Sequence, residues 1–280
     1  MTEFGPAVDP EFDAGSAPAQ LRLLAERLAR AAGSQALAGR RRLGTGQPAT
    51  DTKSTATDPV TAFDRAAEAL IVGELRGIRP DDAIVGEEGA NHPGTSGLEW
   101  HLDPIDGTVN FVYDLPAWCT SVGVVDDAGG VAGAVYVPVL DEMFSAARGE
   151  GATLNGDPIV VSGRASLDMA LVGTGFSYLA ERRHTQSNRV AAMLPEIRDI
   201  RRFGSAAIDL CLVACGRLDA YFEQYLNSWD TAAGVLIAEE AGAMTSGFGD
   251  GRPSHDGLVV AAPGIHAALL ALIERSTPMS

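Results

Sequence analysis

Three apolar, β-branched runs at 120–126, 130–137 and Glu142–Ala147 follow one another with only an Asp-Asp pair, a Gly-Gly pair and a proline-bearing turn between them. Connections this short join antiparallel neighbours and leave no room for crossover helices. The middle of the chain is therefore committed to a meandering sheet, and the rest has to pack around it. Segment 149–158 extends the meander, because Asn155-Gly156 is a pair favoured in two-residue hairpin turns, and a further strand is predicted at 159–162. The same glycines would suit a phosphate loop, but no helical pattern follows them.

Beyond this point the pattern changes. Strands near 169–174, 198–202, 218–223 and 257–262 alternate with helical patterns at 184–195, 205–216, 230–241 and 264–275, and Gly242 closes the third of these helices as its C′ residue. A strand-rich segment followed by strict alternation predicts an α/β (α+β) chain of stacked sheets and helices, with a soft boundary near 150–165. The two halves are taken as 18–155 and 156–280.

Upstream, leucines at 21, 24 and 28 predict an amphipathic helix over about 19–33, and the breakers at 44–48 end the helical region. Asp58 and Pro59 read as N-cap and first position of a second helix running to Leu75. Residues 1–17, with four acids, no base and several Gly, Pro and Ser, read as a disordered tail.

Charge narrows the partners. The net charge of −16 argues against duplex nucleic acid or an anionic membrane surface as the main partner. No apolar run approaches the length of about 18 residues that a spanning helix needs, and the N-terminus lacks a basic and apolar leader, so the expected location is the cytoplasm. Cys119, Cys211 and Cys215 are too few for a disulfide framework, and Cys211 and Cys215 read as core residues.

A handful of acids are not placed like surface. Glu87 and Glu88 follow the apolar strand Ala83–Gly86, Asp103 and Asp106 flank Pro104-Ile105 at the end of a strand predicted at 99–102, and Asp230 opens an apolar helix. Strand ends in α/β proteins collect ligands. Carboxylates that converge without basic partners raise one another's pKa values, and a hard divalent cation such as Mg²⁺, Mn²⁺ or Ca²⁺ relieves the conflict. The plainer alternative makes Asp106 and Asp230 ordinary helix caps. Gly107 and Thr108 fit close backbone approach to a phosphate. Lys53 is the single lysine among 21 basic side chains; it is either a functional cation or a solvated loop lysine. His101 and Trp229 read as structural, and Arg40-Arg41-Arg42 as a solvated helix end.

Six strings carry a family likeness. DPVTAFD (58–64), GEEG (86–89), WHLDPIDGTVNF (100–111), GEGATLNG (149–156), RFGSAAIDL (202–210) and WDTAAG (229–234) resemble, in collinear order over about 20–275, the inositol monophosphatase family of lithium-sensitive, magnesium-dependent phosphatases. The resemblance implies a layered αβαβα sandwich of the kind shared with fructose-1,6-bisphosphatases. It implies that Glu87, Asp103 and the Ile105 carbonyl bind one metal, and that Asp103, Asp106 and Asp230 bind a second. A third, weaker ion reached by Glu87 brings the expected complement to roughly two to three Mg²⁺, with Mn²⁺ as a substitute. Glu87, Thr108 and Asp64 would activate the attacking water, and Asp64 is expected two turns into the helix capped by Asp58. Gly107 and Thr108 would cradle the phosphate. Ala206, Glu223 and Asp230 would contact the alcohol part of the substrate, with Lys53 on a loop nearby.

The substrate implied is a small polyol phosphate, inositol 1-phosphate first. Histidinol phosphate, fructose 1,6-bisphosphate and 3′-phosphoadenosine nucleotides are the alternatives, and the last two are disfavoured because no added basic pocket for a second phosphate is visible. A homodimer is also implied. The alternative of a different class is a regulatory, protein-binding use of the same fold.

Overall fold

A computed structural model describes residues 17–53, 59–249 and 251–276; apart from Ala17, the expected tail lies outside them. The first helix, α1 (Pro18–Arg42), buries Leu21, Leu24, Ala25, Leu28, Ala29, Ala32 and Ala36 along one stripe. It runs well past the predicted end near 33. Side chains fill the space beside its glycines, so a larger residue would not fit there: a Cβ at Gly33 would stand 2.9 Å from Pro138 and from Tyr136. Arg40 corrects an expectation. It is buried, and its Nε donates to the Phe111 carbonyl at 3.0 Å, while Arg41 and Arg42 alone form the solvated helix end.

A two-stranded ribbon, β1 (Thr50–Thr52) with β2 (Pro59–Thr61), precedes α2 (Ala62–Ile78). Asp58 lies outside the described residues, and Pro59 belongs to β2 rather than opening the helix. The N-cap is Thr61. Its hydroxyl accepts from the Phe63 N–H at 3.1 Å, and Asp64 at the third helical position accepts from the Thr61 N–H at 2.8 Å. A capping box outcompetes an isolated Asp-Pro start because it satisfies N–H groups reciprocally.

Next come β3 (Ala83–Gly86), β4 (Asn91–His92), β5 (Glu99–Asp106) and the short helix α3 (Thr108–Val112). The predicted meander follows as β6 (Cys119–Asp126), β7 (Gly129–Val137), β8 (Glu142–Ala147), β9 (Ala152–Leu154) and β10 (Asp157–Ile159). Asn155 and Gly156, both at positive φ, form the expected hairpin turn. The pairing ends at Ile159, so the strand predicted at 159–162 is corrected to β10. These strands make one eight-stranded sheet in the order β10-β9-β8-β7-β6-β5-β3-β4.

The remainder alternates as β11 (Leu171–Thr174), α4 (Ala180–Met193), β12 (Asp199–Arg201), α5 (Ala206–Ala214), β13 (Ala220–Glu223), α6 (Ser228–Glu240), β14 (Met244–Ser246), β15 (Leu258–Ala261) and α7 (His266–Arg275). Its five strands form a second sheet, β12-β11-β13-β15-β14, in which β14 had no counterpart in the sequence pattern. Three cores stack between the layers. One lies between α1, α2 and the first sheet, a second holds α5 and α6 between the two sheets, and a third lies between the second sheet and α4 and α7. That is the layered αβαβα sandwich. Among the described residues no helix is long and apolar enough to cross a membrane.

One close contact sets where α6 sits. Gly123 and Gly133 face each other across β6 and β7, and a Cβ at Gly133 would stand 2.8 Å from the Ala233 Cα of α6. Gly133→Val is therefore expected to cost about 1–3 kcal/mol of stability by lifting α6 from the sheet, and to impair the site that α6 serves. Urea unfolding reads this directly, and an unchanged midpoint would contradict the close-packing argument.

Candidate active site

Parallel pairing of β3 with β5 sets Gly86 beside Leu102, and the Glu87 N–H continues the ladder to the Leu102 carbonyl at 3.1 Å. The residues just beyond, Glu87 and Asp103, thus emerge next to each other at the ends of neighbouring strands. In a regular strand Asp103 and Asp106, three residues apart, would point to opposite faces. The β5–β6 register breaks between them, at Pro104-Ile105, where proline has no N–H for the ladder. The Pro104 carbonyl accepts from the Thr120 hydroxyl at 2.8 Å, the Ile105 N–H donates to Asp103 Oδ1 at 3.1 Å, and Ile105 packs with Phe111, Trp118 and Ala36. The bulge turns both aspartates toward one cavity.

Asp106 is tied to the start of α5. Its Oδ2 accepts from the Ser205 hydroxyl at 2.6 Å and the Ala207 N–H at 2.8 Å. Burial pushes its pKa up to about 6, against those two hydrogen bonds. Burial, and then repulsion from Glu87, Asp106 and Asp230, holds Asp103 well above the carboxylate range. Asp230 accepts from the Asn227 N–H at 2.6 Å as the third residue of α6, so it serves a capping box whose N-cap is Asn227 instead of opening the helix itself; burial and the Asp106 charge raise its pKa as well. It faces the cavity at the same time.

Asp64 lies behind this set. Its Oδ2 accepts from the Thr61 hydroxyl at 2.5 Å, and its Oδ1 is 3.3 Å from the Thr108 hydroxyl, which also lies 3.1 Å from the Ile105 carbonyl. Asp64 thus occupies the first turn of α2, not the second turn expected from an Asp58 cap. Burial raises its pKa. Lys53 pairs with Glu87 at 2.8 Å and Glu88 at 2.5 Å, and these partners outweigh its burial and hold the ammonium above its usual range. Burial raises Glu88 to about 7 despite that pairing. Glu68 organises the loop from beneath, accepting from the Glu88 N–H at 2.8 Å and the Ala90 N–H at 3.0 Å.

A cavity of about 390 Å³ collects nearly all the residues singled out from the sequence: Glu87, Asp103, Ile105, Asp106, Gly107, Thr108, Ala206, Glu223 and Asp230 line it. Asp64 and Lys53 stand behind its wall. His101, paired with Glu99 at 3.0 Å, and Trp229 do not line it. Sequence reasoning missed Arg182, Arg202, Asp209, Tyr225 and His255, which do. The two arginines put basic side chains on a cavity for which the sequence showed no added basic pocket. Only Asp209 carried a signal, as the lone acid in the apolar helix AAIDLCLVA.

The donor set suits a hard divalent cation. It is all oxygen and acidic, and the buried Glu87 Oε2 has no hydrogen-bond partner among the described residues. No three His, Cys, Asp or Glu side chains among those residues already converge at ligating distance, so non-carboxylate donors such as the Ile105 carbonyl, water or phosphate would share any ion.

Known proteins resemble this chain along nearly its whole length. The profile of the inositol monophosphatase family matches residues 18–277. An inositol-1-monophosphatase of Mycobacterium leprae is 47% identical, over 92% of this chain and 94% of the relative. The structure of Mycobacterium tuberculosis SuhB superposes with a TM-score of 0.81 at 41% identity, covering 95% of this chain and 100% of that one. A protein named Nus factor SuhB from Xylella fastidiosa is 42% identical over 68% of this chain and 70% of its own length.

Because Glu68 holds two N–H groups next to Glu87, Glu68→Ala is expected to cost about 1–3 kcal/mol and to lower kcat/KM by letting the loop drift. Thermal unfolding and steady-state kinetics test this together; full stability with full activity would remove the positioning role.

Proposed function

The chain belongs to the inositol monophosphatase family, and on that premise we propose that it hydrolyses inositol 1-phosphate to inositol and inorganic phosphate in the cytoplasm, with water as the attacking group. The observation that carries this reading is that Glu87, Asp103, Asp106 and Asp230, from three separate parts of the chain, line one cavity with the Thr108 hydroxyl. The family is metal-dependent, and roughly two to three Mg²⁺, or Mn²⁺ in their place, held by those carboxylates and the Ile105 carbonyl, would neutralise the phosphate, activate water and stabilise the leaving oxygen.

The chain's own residues do the rest. Thr108 Oγ1 takes a proton from the attacking water as it hands its own to Asp64 Oδ1, and Glu87 assists at the same water. One hydroxyl proton serves one acceptor at a time, so this relay runs when the Ile105 carbonyl is otherwise engaged. The raised pKa of buried Asp64 makes it a better acceptor. The N–H groups of Gly107 and Thr108 hold the phosphate, and Ala206, Glu223 and Asp230 hold the polyol. Lys53 steadies Glu87 and Glu88 from outside the cavity.

Assistance by such a dyad is worth about 10²–10⁴-fold. Thr108→Ala and Asp64→Asn are each expected to lower kcat strongly with little change in Mg²⁺ affinity, and the double variant to be hardly worse than either. Fully multiplicative losses would mean that the two act independently. Asp103→Asn is expected to abolish turnover in a folded protein, and near-wild-type activity at saturating Mg²⁺ would remove it from the ligand set. Across inositol 1-phosphate, histidinol phosphate, fructose 1,6-bisphosphate and a 3′-phosphoadenosine nucleotide, the first should show the highest kcat/KM; a bisphosphate in first place would shift the assignment toward Arg182 and Arg202. The assembly we infer is a homodimer with each site formed within one subunit, and a monomer by light scattering would overturn it. The likeness to a protein named Nus factor favours a second reading, a protein-binding role. Partner capture that survives in the Glu87→Gln, Asp103→Asn double variant would establish that role as separate from catalysis.

A further inference from the structure

Asp209 is 1% exposed, lines the cavity, and its Oδ1 has no hydrogen-bond partner among the described residues. A buried carboxyl left this way is costly unless something else meets it. The fold makes room for it deliberately. Gly173 of β11 has Tyr221 of β13 as its pairing partner, and a Cβ at 173 would stand 3.1 Å from Asp209 Oδ1. Two residues on, a Cβ at Gly175 would collide with the Glu223 carboxylate. Two glycines in alternation therefore seat two carboxyl groups side by side on the cavity floor. Glu223 is held by the Tyr221 hydroxyl, which donates to its Oε2. No such hydrogen bond reaches Asp209 Oδ1 from the described residues.

We propose that Asp209 is a substrate-binding residue for the alcohol part of the molecule, its carboxyl meeting a ring hydroxyl of a polyol phosphate beside Glu223. The inference rests on the polyol-phosphatase reading above and adds to it the residue that selects a polyhydroxylated leaving group. A hydroxyl, both donor and acceptor, matches a carboxyl in either protonation state. That suits this position, where burial first and then the Glu223 and Asp106 charges push the Asp209 pKa well up, with Arg202 opposing. An aryl leaving group brings no hydroxyl and leaves the carboxyl unmet.

The test compares kcat/KM for inositol 1-phosphate with kcat/KM for 4-nitrophenyl phosphate, in Mg²⁺-loaded enzyme. Both values scale with the same active fraction, so their ratio is insensitive to how much protein is folded. Asp209→Leu is expected to lower the ratio at least about tenfold, mainly through KM for the polyol, while activity on the aryl ester stays within about twofold. Asp209→Ala reads the same ratio should the leucine not fit. Asp209→Asn, which keeps hydrogen-bonding groups on the same skeleton, should restore it to within a few-fold. A wild-type preference for the polyol that survives in Asp209→Leu and Asp209→Ala, or an equal loss on both esters, would overturn the inference alone and leave Asp209 a structural acid of the first turn of α5. Wild-type enzyme with no preference for the polyol would overturn the underlying reading itself.

Discussion

Mutual repulsion among carboxylates is the constraint on which the rest of this structure turns. Glu87, Asp103, Asp106 and Asp230 line one cavity, where burial and one another's charge raise the three aspartates above their ordinary pKa range. Left to itself, such a set would open until water separated its members. It stays closed because each acid is anchored by backbone that is already committed elsewhere. The β3–β5 ladder holds Glu87, the bulge holds Asp103, the first turn of α5 holds Asp106, and the first turn of α6 holds Asp230. The stabilising energy lies in the apolar layers behind these anchors, and the site draws on it.

Glycine is the second device. Three buried or half-buried acids at or behind the cavity wall lie against glycines, where a side chain would collide with or crowd them. Gly86 leaves space for Glu68, Gly173 for Asp209 and Gly175 for Glu223. Gly107, at φ 93, closes the turn after Asp106 and would place a Cβ 2.9 Å from the Ala117 carbonyl. The paired Gly123 and Gly133 do the same at larger scale by letting α6 lie directly on the sheet, which brings Asp230 to the other acids.

Much of this was legible in the chain, and the parts that were not share a cause. The meander, the Asn155-Gly156 turn and the Gly242 helix stop follow from local chemistry, since turn geometry and short connections admit few alternatives. Errors arose where one signal met a stronger competitor, local in one case and tertiary in the others. Asp58-Pro59 looks like a helix start, but the Thr61–Asp64 box satisfies more N–H groups. Arg40 looks like surface because its neighbours are arginines, yet it sits on the buried stripe of α1 and reaches the Phe111 carbonyl. Arg182 falls just before the helix predicted at 184–195 and Arg202 at the end of the strand predicted at 198–202, so spacing placed the elements but not the convergence of these two side chains on the cavity.

What the sequence by itself determined is the order and type of most elements, a small set of acids placed unlike surface, and the reason such a set calls for something positive to meet it. Those depend on side-chain chemistry and on contacts within a few residues. Tertiary structure alone decided which acids face one another. A bulge must turn Asp103 and Asp106 the same way, a parallel pairing must set Glu87 beside Asp103, and a glycine floor must bring α6 across some hundred residues of intervening chain. Only packing decided that Asp209 would lie buried next to Glu223 while Asp64 withdrew behind Thr108. Local patterns specify direction along a strand or helix, but the meeting of two elements depends on the volume and shape of everything stacked between them.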